Sequence, residues 1–247
     1  MLIYDALGFF EKKLAKAQGK GYGSNSITSE ITSVRKLLGH NHPSLCIDIG
    51  GNIGDYSAGL RKHFPDAQIV CFEPSMTNVS KLNNRFENDG NITVEPVGIS
   101  NEAGSYTLYS DVPGSGLGSL TKRNLDHFGR DFEIEETINT IRFDGYWNQS
   151  LKRSPIDFLK LDIEGHEMDA LQGCGDAIDH IQIIQFEFGG SNIDTRTYFQ
   201  DFWYFFQSHG FSVYRITPFG IAPMKRYKER DECFRTTNFL AQKNNRS

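Results

Sequence analysis

The sequence has no apolar run longer than a single strand, which argues against a membrane-spanning helix. Its N-terminus also has no basic segment followed by an apolar core, so no secretory signal is predicted. Cysteine is scarce, and Cys46, Cys71, Cys174 and Cys233 show no C-x-x-C spacing of the kind that zinc sites and redox motifs use. We therefore expect a soluble cytoplasmic protein with free thiols.

Clusters of basic residues are missing as well. The 26 Lys and Arg residues are scattered among 31 Asp and Glu residues, and the formal net charge is −5. Because nucleic-acid backbones are bound by clustered lysine and arginine, this composition does not indicate a nucleic-acid partner. No linker, low-complexity tract or internal repeat divides the 247 residues. The sequence predicts an α/β protein with a helical extension over 1–44 and one ligand-binding domain over 45–247.

Two segments stand apart from the alternation of strands and helices. Apolar residues recur at helical spacing over 4–17 and predict a first helix, and a second helix is predicted from near Thr28 to Gly39. These helices are expected either to cover the ligand site as a lid or to pack on the sheet. The stretch at about 104–146 begins with residues 105–110, whose alternation predicts one arm of a hairpin, and is turn-rich after them. It is expected to be an insertion at the ligand edge that selects the substrate.

A glycine-rich turn follows the first predicted strand. The apolar run Leu45 to Ile49 is typical of a strand buried on both faces of a parallel sheet. Gly50, Gly51 and Gly54 then allow a sharp turn and a close approach of the backbone to a ligand. Asp55 is predicted to cap the helix that follows. The stretch is therefore interpreted as a ligand cradle.

The details of this turn decide between ligands. A dinucleotide fingerprint has glycine at its first, third and sixth positions, but counting from Gly50 the third is Asn52 and the sixth is Asp55. A phosphate-binding P-loop needs Lys and then Ser or Thr, whereas Asp55 and Tyr56 stand there. Asp48 and Asp55 would repel phosphate and suit a cationic ligand. S-adenosylmethionine carries an ammonium and a sulfonium, and Asp48 is expected to hold the ammonium.

The next two strands add cofactor contacts. Glu73 follows the predicted strand 67–72 and lies roughly 20 residues beyond Gly50, the spacing of an acid that binds ribose hydroxyls. Its carboxylate has oxygens for both hydroxyl protons. A solvated acid at a strand end is the alternative. The third predicted strand ends at the same edge, which places Gly98 to Ser100 near the adenine ring.

The stretch 156–167 is the second informative part of the chain. Alternation in a strand places Lys160, Asp162 and Glu164 on one face. Burying three ionisable groups is unfavourable unless they are paired or lie near a polar ligand. A salt bridge to one of the acids is the alternative for Lys160. Apolar and polar residues alternate over 181–188 and predict a fifth strand, which brings Glu187 to the same edge.

Three motifs, D-I-G-G-N-I-G at 48–54, F-E-P at 72–74 and L-K-L-D-I-E-G-H-E at 159–167, occur in order. In these motifs the chain resembles the FkbM family of S-adenosylmethionine-dependent methyltransferases. The resemblance implies the class I methyltransferase fold, a Rossmann-like, seven-stranded, mostly parallel sheet with helices on both faces and an antiparallel last strand. It implies O-methylation of a hydroxyl on a sugar, glycan or polyketide-like acceptor. It also implies cofactor contacts from Asp48, Gly50, Asn52 and Glu73.

Transfer of a methyl group to a neutral hydroxyl calls for a base. The candidates are Asp162, Glu164, His166 and Glu187, and Asp162 is also expected beside the transferred methyl. His166 is favoured because an unperturbed imidazole is largely neutral at physiological pH. Its alternative role is to cap the following helix or to form a hydrogen bond with a neighbouring loop. Coordination of a metal by Asp162, Glu164, His166 and Glu167 also stays open.

Two other classes of protein are alternatives to a methyltransferase. A nicotinamide-dependent sugar oxidoreductase would share the sheet and Glu73, but the missing glycines count against it. A non-catalytic cofactor-binding module would have little reason to keep ionisable groups along 160–167. The sequence leaves the acceptor and the oligomeric state open.

Overall fold

The computed structural model describes residues 2–23 and 27–244. Its helices are α1 (Leu2–Ala17), α2 (Ile27–Leu38), α3 (Asp55–His63), α4 (Met76–Phe86), α5 (Phe143–Gln149), α6 (Glu167–Gly173), α7 (Ser191–Thr195) and α8 (Phe199–Ser208). Its strands are β1 (Leu45–Ile49), β2 (Gln68–Phe72), β3 (Ile92–Glu95), β4 (Gly98–Ile99), β5 (Gly104–Ser110), β6 (Ile134–Ile141), β7 (Ile156–Leu161), β8 (Ile181–Phe188), β9 (Phe211–Thr217), β10 (Gly220–Pro223) and β11 (Thr237–Lys243). None of the helices in the described residues is both long enough and apolar enough to cross a membrane.

The main sheet has the strand order β10-β9-β11-β8-β7-β1-β2-β3. The pairs from β3 through β2, β1 and β7 to β8 are parallel, and β11 runs antiparallel to both β8 and β9. This arrangement confirms the predicted class I methyltransferase fold with a reversed last strand. The predicted count of seven strands was wrong by one, because β10 adds a short hairpin to β9. A four-residue edge strand that ends in Pro223 gives no apolar alternation by which it could be recognised.

Apolar helices cover both faces of this sheet. On one face Ile31 and Val34 of α2 pack with Leu60 of α3, and all three side chains are fully buried. On the other face the Phe186 ring of β8 stacks on Phe202 of α8, with ring centroids 5.0 Å apart. Burying each such side chain contributes about 1.5 to 3 kcal/mol to the stability of the fold. The packing fixes the strand ends, and therefore the residues that follow them.

The N-terminal helices do not form a lid. Helix α2 packs on the sheet, as one of the two predicted alternatives had it, while α1 lies at the surface with Leu7, Phe10 and Leu14 exposed. Among the described residues, neither helix contributes to the cavities at the sheet edge. The division of the chain at residue 44 stays a prediction.

The predicted capping role of Asp55 was wrong. Helix α3 is capped at Gly54, whose φ is +84°, and Asp55 is the first helical residue, where its carboxylate pairs with Arg85 at 2.7 Å. A Cβ at Gly54 would lie 2.6 Å from the ring of Phe86. Packing between helices, rather than contact with a ligand, therefore accounts for glycine at this position.

The insertion forms a second, three-stranded sheet with the order β4-β6-β5. Strand β4 leaves the main sheet directly after β3, and Gly98 pairs with Thr140 of β6. Strand β5 follows the predicted hairpin arm at 105–110 and is antiparallel to β6. The insertion thereby faces the carboxyl ends of the parallel strands.

Candidate functional site

A cavity lies between the carboxyl ends of the parallel strands and the insertion. It contains about 900 Å³ of empty space, its open mouth included. This is the position at which open α/β sheets bind ligands. Seven of the predicted site residues line it: Gly50, Asn52, Glu73, Gly98, Asp162, Glu164 and His166. The other four, Asp48, Gly54, Ser100 and Glu187, lie outside its lining.

The glycine turn forms one wall and is tightly fixed. The backbone N–H groups of Gly50 and Gly51 both donate to the carbonyl oxygen of Phe72 at 3.0 Å. Gly50 has a φ of +85°, and a Cβ there would lie 2.0 Å from the carbonyl oxygen of Asp162. A Cβ at Gly51 would lie 2.1 Å from the Cys71 sulfur. The backbone is therefore held between β7 and β2, where no side chain fits.

Two polar atoms in the cavity wall lack partners. Asn52 Oδ1 and Ser75 Oγ are buried and make no hydrogen bond within the described residues. Asn52 also has a φ of +47°, in the left-handed region that costs a non-glycine residue energy unless its surroundings impose it. Buried polar groups are nearly always paired, so unpaired ones in a cavity point to a polar ligand. The wall therefore fits an adenosine-type cofactor with its hydroxyls and ring nitrogens.

Glu73 is buried in the same wall, which rules out the alternative of a solvated surface acid. Its Oε2 accepts the backbone N–H of Asn52 at 2.8 Å, and its Oε1 accepts that of Ser75 at 2.9 Å. Burial raises the pKa of Glu73 to about 7, although these N–H donors oppose the shift. The side chain of Asn78 also forms a hydrogen bond with this carboxylate, which still keeps a lone pair for a ribose hydroxyl. Its role in binding ribose stays a prediction.

Asp48 is fully buried and does not line the cavity. The hydroxyl of Ser57 donates to its Oδ2 at 2.7 Å, and Lys160 Nζ lies 3.7 Å from its Oδ1. Lys160 also pairs with Asp162 Oδ2 at 3.1 Å, so the predicted salt bridge of this lysine is confirmed. Burial alone would lower the pKa of Lys160, but the charges of Asp162 and Asp48 outweigh it and raise the pKa. Asp48 thus has a protein cation in place of the expected cofactor ammonium.

The turn after β7 is held in place by the carboxylate of Glu167, the last residue of the motif at 159–167. Glu167 is buried, and its carboxylate accepts the backbone N–H groups of Ile163 at 3.0 Å and Gly165 at 3.1 Å. Within this turn Glu164 has a φ of +53°. Glu167 is therefore occupied in holding the loop. Among the described residues, no group of three or more His, Cys, Asp and Glu side chains has the arrangement of a metal site.

Glu164 is paired with an arginine from the insertion. Arg123 Nη1 donates to Glu164 Oε2 at 2.7 Å, and its Nε donates to Asp194 Oδ2 at 3.1 Å. Burial and the charge of Asp162 raise the pKa of Glu164 to about 8, against the opposing charge of Arg123. Sequence reasoning missed Arg123, because an arginine in a turn-rich insertion carries no local sign of its distant partner.

His166 stands at the end of the cavity with both ring nitrogens engaged. Nδ1 lies 2.7 Å from Asp169 Oδ2, and Nε2 lies 3.0 Å from Thr121 Oγ1. The residue occupies the N-cap position of α6 but its side chain makes no capping bond, so the predicted capping role was wrong. Its contact with Thr121 of the insertion matches the other alternative, a hydrogen bond to a neighbouring loop. An ionised carboxylate only accepts, which places a proton on Nδ1 and leaves a lone pair on Nε2 of the neutral ring. This tautomer can receive a proton at Nε2.

Glu187 lies behind these groups at the end of β8, opposite Asn238 of β11. Burial and the nearby charges of Asp162 and Glu164 raise its pKa well above the ordinary value. The raised pKa favours the protonated form, which makes Glu187 a weaker candidate for a base than His166. Ser100 is also buried, with its hydroxyl directed to Asn101 at 3.3 Å rather than to the cavity.

The parallel sheet with its reversed strand and the cavity at the glycine turn define a class I, S-adenosylmethionine-dependent methyltransferase domain. A family model described as the FkbM methyltransferase domain matches residues 48–213. The chain belongs to this family, which confirms the resemblance seen in its three motifs.

Two curated relatives carry methyltransferase names. Methyltransferase 1 of Beauveria bassiana is 27% identical over 155 residues, which cover 57% of this chain and 61% of the relative. Methyltransferase sdnD of Sordaria araneosa is 27% identical over 166 residues, which cover 56% of this chain and 62% of the relative. The chain thus spans about three fifths of the length of these relatives.

Solved methyltransferase structures also match. A SAM-dependent O-methyltransferase from Thermotoga maritima is 13% identical with a TM-score of 0.44, over 89% of this chain and 65% of that chain. A precorrin-6y C5,15-methyltransferase from Geobacter metallireducens is 10% identical with a TM-score of 0.44, over 87% of each chain.

Proposed function

We propose that the protein is a cytoplasmic O-methyltransferase that transfers the methyl group of S-adenosylmethionine to a hydroxyl of a small sugar, glycan or polyketide-like acceptor. The observation that carries this proposal is His166, which lines the end of the cofactor cavity and whose Nδ1 is held by Asp169, so that Nε2 is the nitrogen able to accept a proton. A base at that position suits transfer to oxygen, because a hydroxyl must lose its proton as it becomes an ether. The free cysteines of the described structure fit a reducing compartment.

The cofactor would be held by the residues that line the cavity. Gly50 and Asn52 would contact its methionine part through the backbone, and Glu73 would accept the ribose hydroxyls. Gly98 would lie beside the adenine ring. Asp162, whose carboxylate is 39% exposed, is a better partner for the cofactor's ammonium than the sealed Asp48.

The protein's own groups have a limited task in this reaction. The bound cofactor supplies an electrophilic methyl group, so the chain chiefly has to orient the acceptor oxygen and remove its proton. His166 Nε2 accepts that proton. Asp169 holds the ring in the required tautomer and stabilises the imidazolium that forms. Glu164 is bound to Arg123 and holds the insertion against the site, which leaves it little capacity as a base.

Methyl transfer from isotopically labelled S-adenosylmethionine to a panel of sugars, glycans and polyketides tests the proposal. The His166→Ala variant is expected to lose roughly 10² to 10⁴ in turnover, while calorimetry gives an unchanged cofactor affinity. The control is His63→Ala, since His63 lies on α3 outside the cavity. Near-normal turnover in His166→Ala would remove this residue from the mechanism. A labelled methyl group bonded to a carbon or nitrogen atom of the product would contradict O-methylation.

A further inference from the structure

Helix α1 carries an apolar stripe that no part of the described structure covers. Ile3, Leu7, Phe10 and Leu14 follow one another at intervals of four, three and four residues, and these residues are between 59% and 68% exposed. At about 3.6 residues per turn, the four positions fall within an arc of roughly 60° on the helix surface. Exposed apolar residues are normally scattered, so a contiguous stripe marks a surface that binds another molecule or a membrane.

A loop that is distant in the sequence lies along one side of this stripe. The loop 224–235 and α1 enclose a shallow furrow, which is lined by Leu14 of the helix and by Arg230 and Arg235 of the loop. The guanidinium of Arg235 pairs with Glu11 of the helix at 3.3 Å. The loop is thereby held against α1, and its basic side chains flank the stripe.

The segments 2–20 and 224–235 together form a basic surface on an acidic protein. They contain nine Lys and Arg residues against five Asp and Glu residues, a formal charge of +4, which leaves −9 for the rest of a chain whose net charge is −5. Two of the five acids are already engaged. Asp231 pairs with the buried Arg215 at 2.9 Å, and the carboxylate of Glu232 accepts two backbone N–H groups of α8. The basic residues are scattered in the sequence and come together only in the fold.

The combination of an apolar stripe with flanking basic groups matches the surface of an anionic membrane. Lys13 falls on the side of the stripe away from the loop, and Arg230 and Arg235 lie on the other side. An amphipathic helix in a membrane interface buries its apolar face at the acyl chains, while flanking basic side chains reach the phosphate groups. A nucleic acid would leave the stripe in water. A second copy would bring two surfaces of equal positive charge together, and these would repel.

We propose that α1 and the loop 224–235 form a peripheral membrane-binding surface, which lays α1 in the plane of a bilayer that contains anionic phospholipids. The proposed cytoplasmic location supplies such lipids, because the cytoplasmic leaflet is the anionic one. The surface also has a defined position relative to the cofactor cavity. The loop leads into β11, whose first residue Thr237 pairs with Phe188 at the carboxyl end of β8. The membrane-binding surface therefore lies near the edge of the main sheet at which the cofactor cavity opens.

Flotation of the native protein with extruded vesicles tests this surface without any methyl transfer. The probes are vesicles of phosphatidylcholine alone and vesicles in which about a third of the lipid is phosphatidylserine. We expect the protein to bind the phosphatidylserine vesicles, and to bind the phosphatidylcholine vesicles at least about 10-fold more weakly. Binding to the phosphatidylserine vesicles should weaken as the salt concentration rises, because salt screens the attraction between exposed charges.

Single substitutions separate the apolar contribution from the basic one. Phe10→Gln should weaken binding to the phosphatidylserine vesicles at least about 10-fold, and Arg230→Gln should weaken it about 5-fold. The matched controls are Phe128→Gln, at an exposed ring of the insertion, and Lys62→Gln on α3, and both should leave binding unchanged. All four residues are exposed, so the fold should tolerate each change.

Several results would overturn this inference. They are no binding to either kind of vesicle, equal binding to both kinds, or an unchanged affinity in Phe10→Gln or Arg230→Gln. A dimer in light scattering that Phe10→Gln dissociates, together with no vesicle binding, would assign the stripe to a second copy. Binding of single-stranded RNA without vesicle binding would assign the basic residues to a nucleic acid instead.

Discussion

The buried carboxyl group of Glu73 makes the stability of the fold depend on pH in a calculable way. Its pKa is raised from 4.5 to about 7 in the folded protein, chiefly by burial. Between these two values the folded state binds the proton and the unfolded state releases it. The free energy of unfolding therefore falls as pH rises from about 4.5 to about 7. At about 1.4 kcal/mol for each pKa unit, the loss from Glu73 alone is about 3 kcal/mol at pH 8.

The variant Glu73→Gln isolates this contribution, because the amide cannot ionise. At pH 4.5 the variant and the native protein should agree within about 1 kcal/mol, since one oxygen acceptor is retained and one is lost. At pH 8 the variant without cofactor should be the more stable by about 3 kcal/mol. Urea unfolding at a series of pH values measures both. The difference between the two proteins removes the effect of other buried acids such as Glu164.

A difference in stability that does not change with pH would refute this account of Glu73.

The proposed contact between Glu73 and the cofactor also predicts that removing this carboxylate lowers cofactor affinity. If Glu73 accepts the ribose hydroxyls, Glu73→Ala should weaken cofactor affinity by about 1.5 to 3 kcal/mol in a titration calorimeter. Unchanged affinity would leave Glu73 as a group that only holds the Asn52 and Ser75 backbone.

Two further substitutions test the site's framework by urea unfolding. Arg123→Met should destabilise the fold by about 3 to 5 kcal/mol at a pH above the pKa of about 8 of Glu164, where Glu164 and Asp194 are both ionised and lose their cation, and adding Glu164→Gln should restore part of this stability. If the double variant recovered no stability, the pairing of Arg123 with Glu164 would be contradicted. Gly50→Ala should cost at least about 2 kcal/mol, since its φ is positive and its Cβ meets Asp162, whereas Gly90→Ala, with nothing within 4 Å, should change little. Equal effects of the two glycine variants would refute the close-packed turn.

Several elements could be predicted from the sequence because their signals are local. The strand β8 was predicted at 181–188 and occupies Ile181–Phe188, since its alternation of apolar and polar residues directly reflects a two-residue period. The convergence of Gly50, Glu73 and Asp162 also followed from the sequence. Parallel strands place their carboxyl ends at one edge, so residues that directly follow three strands meet there.

Other features gave no local signal. The short strand β10 has too few residues to show a period, and the helix that Asp55 was expected to cap is instead capped by Gly54. The contacts of Asp48 could not be predicted for a different reason. A strand that is buried on both faces does not reveal which face carries a ligand, and the side chain of Asp48 turned to Ser57 and Lys160.

The sequence by itself determined the sheet, the glycine turn, the family and the set of polar residues at the strand ends, because each depends on neighbours close in the chain. Only the tertiary structure decided how those residues are paired. Arg123 reaches Glu164, and Thr121 reaches His166, across more than 40 residues. Such contacts depend on how the insertion folds back over the sheet. The surroundings of His166 arise in the same way, since α6, α8 and the insertion meet only when the chain is folded.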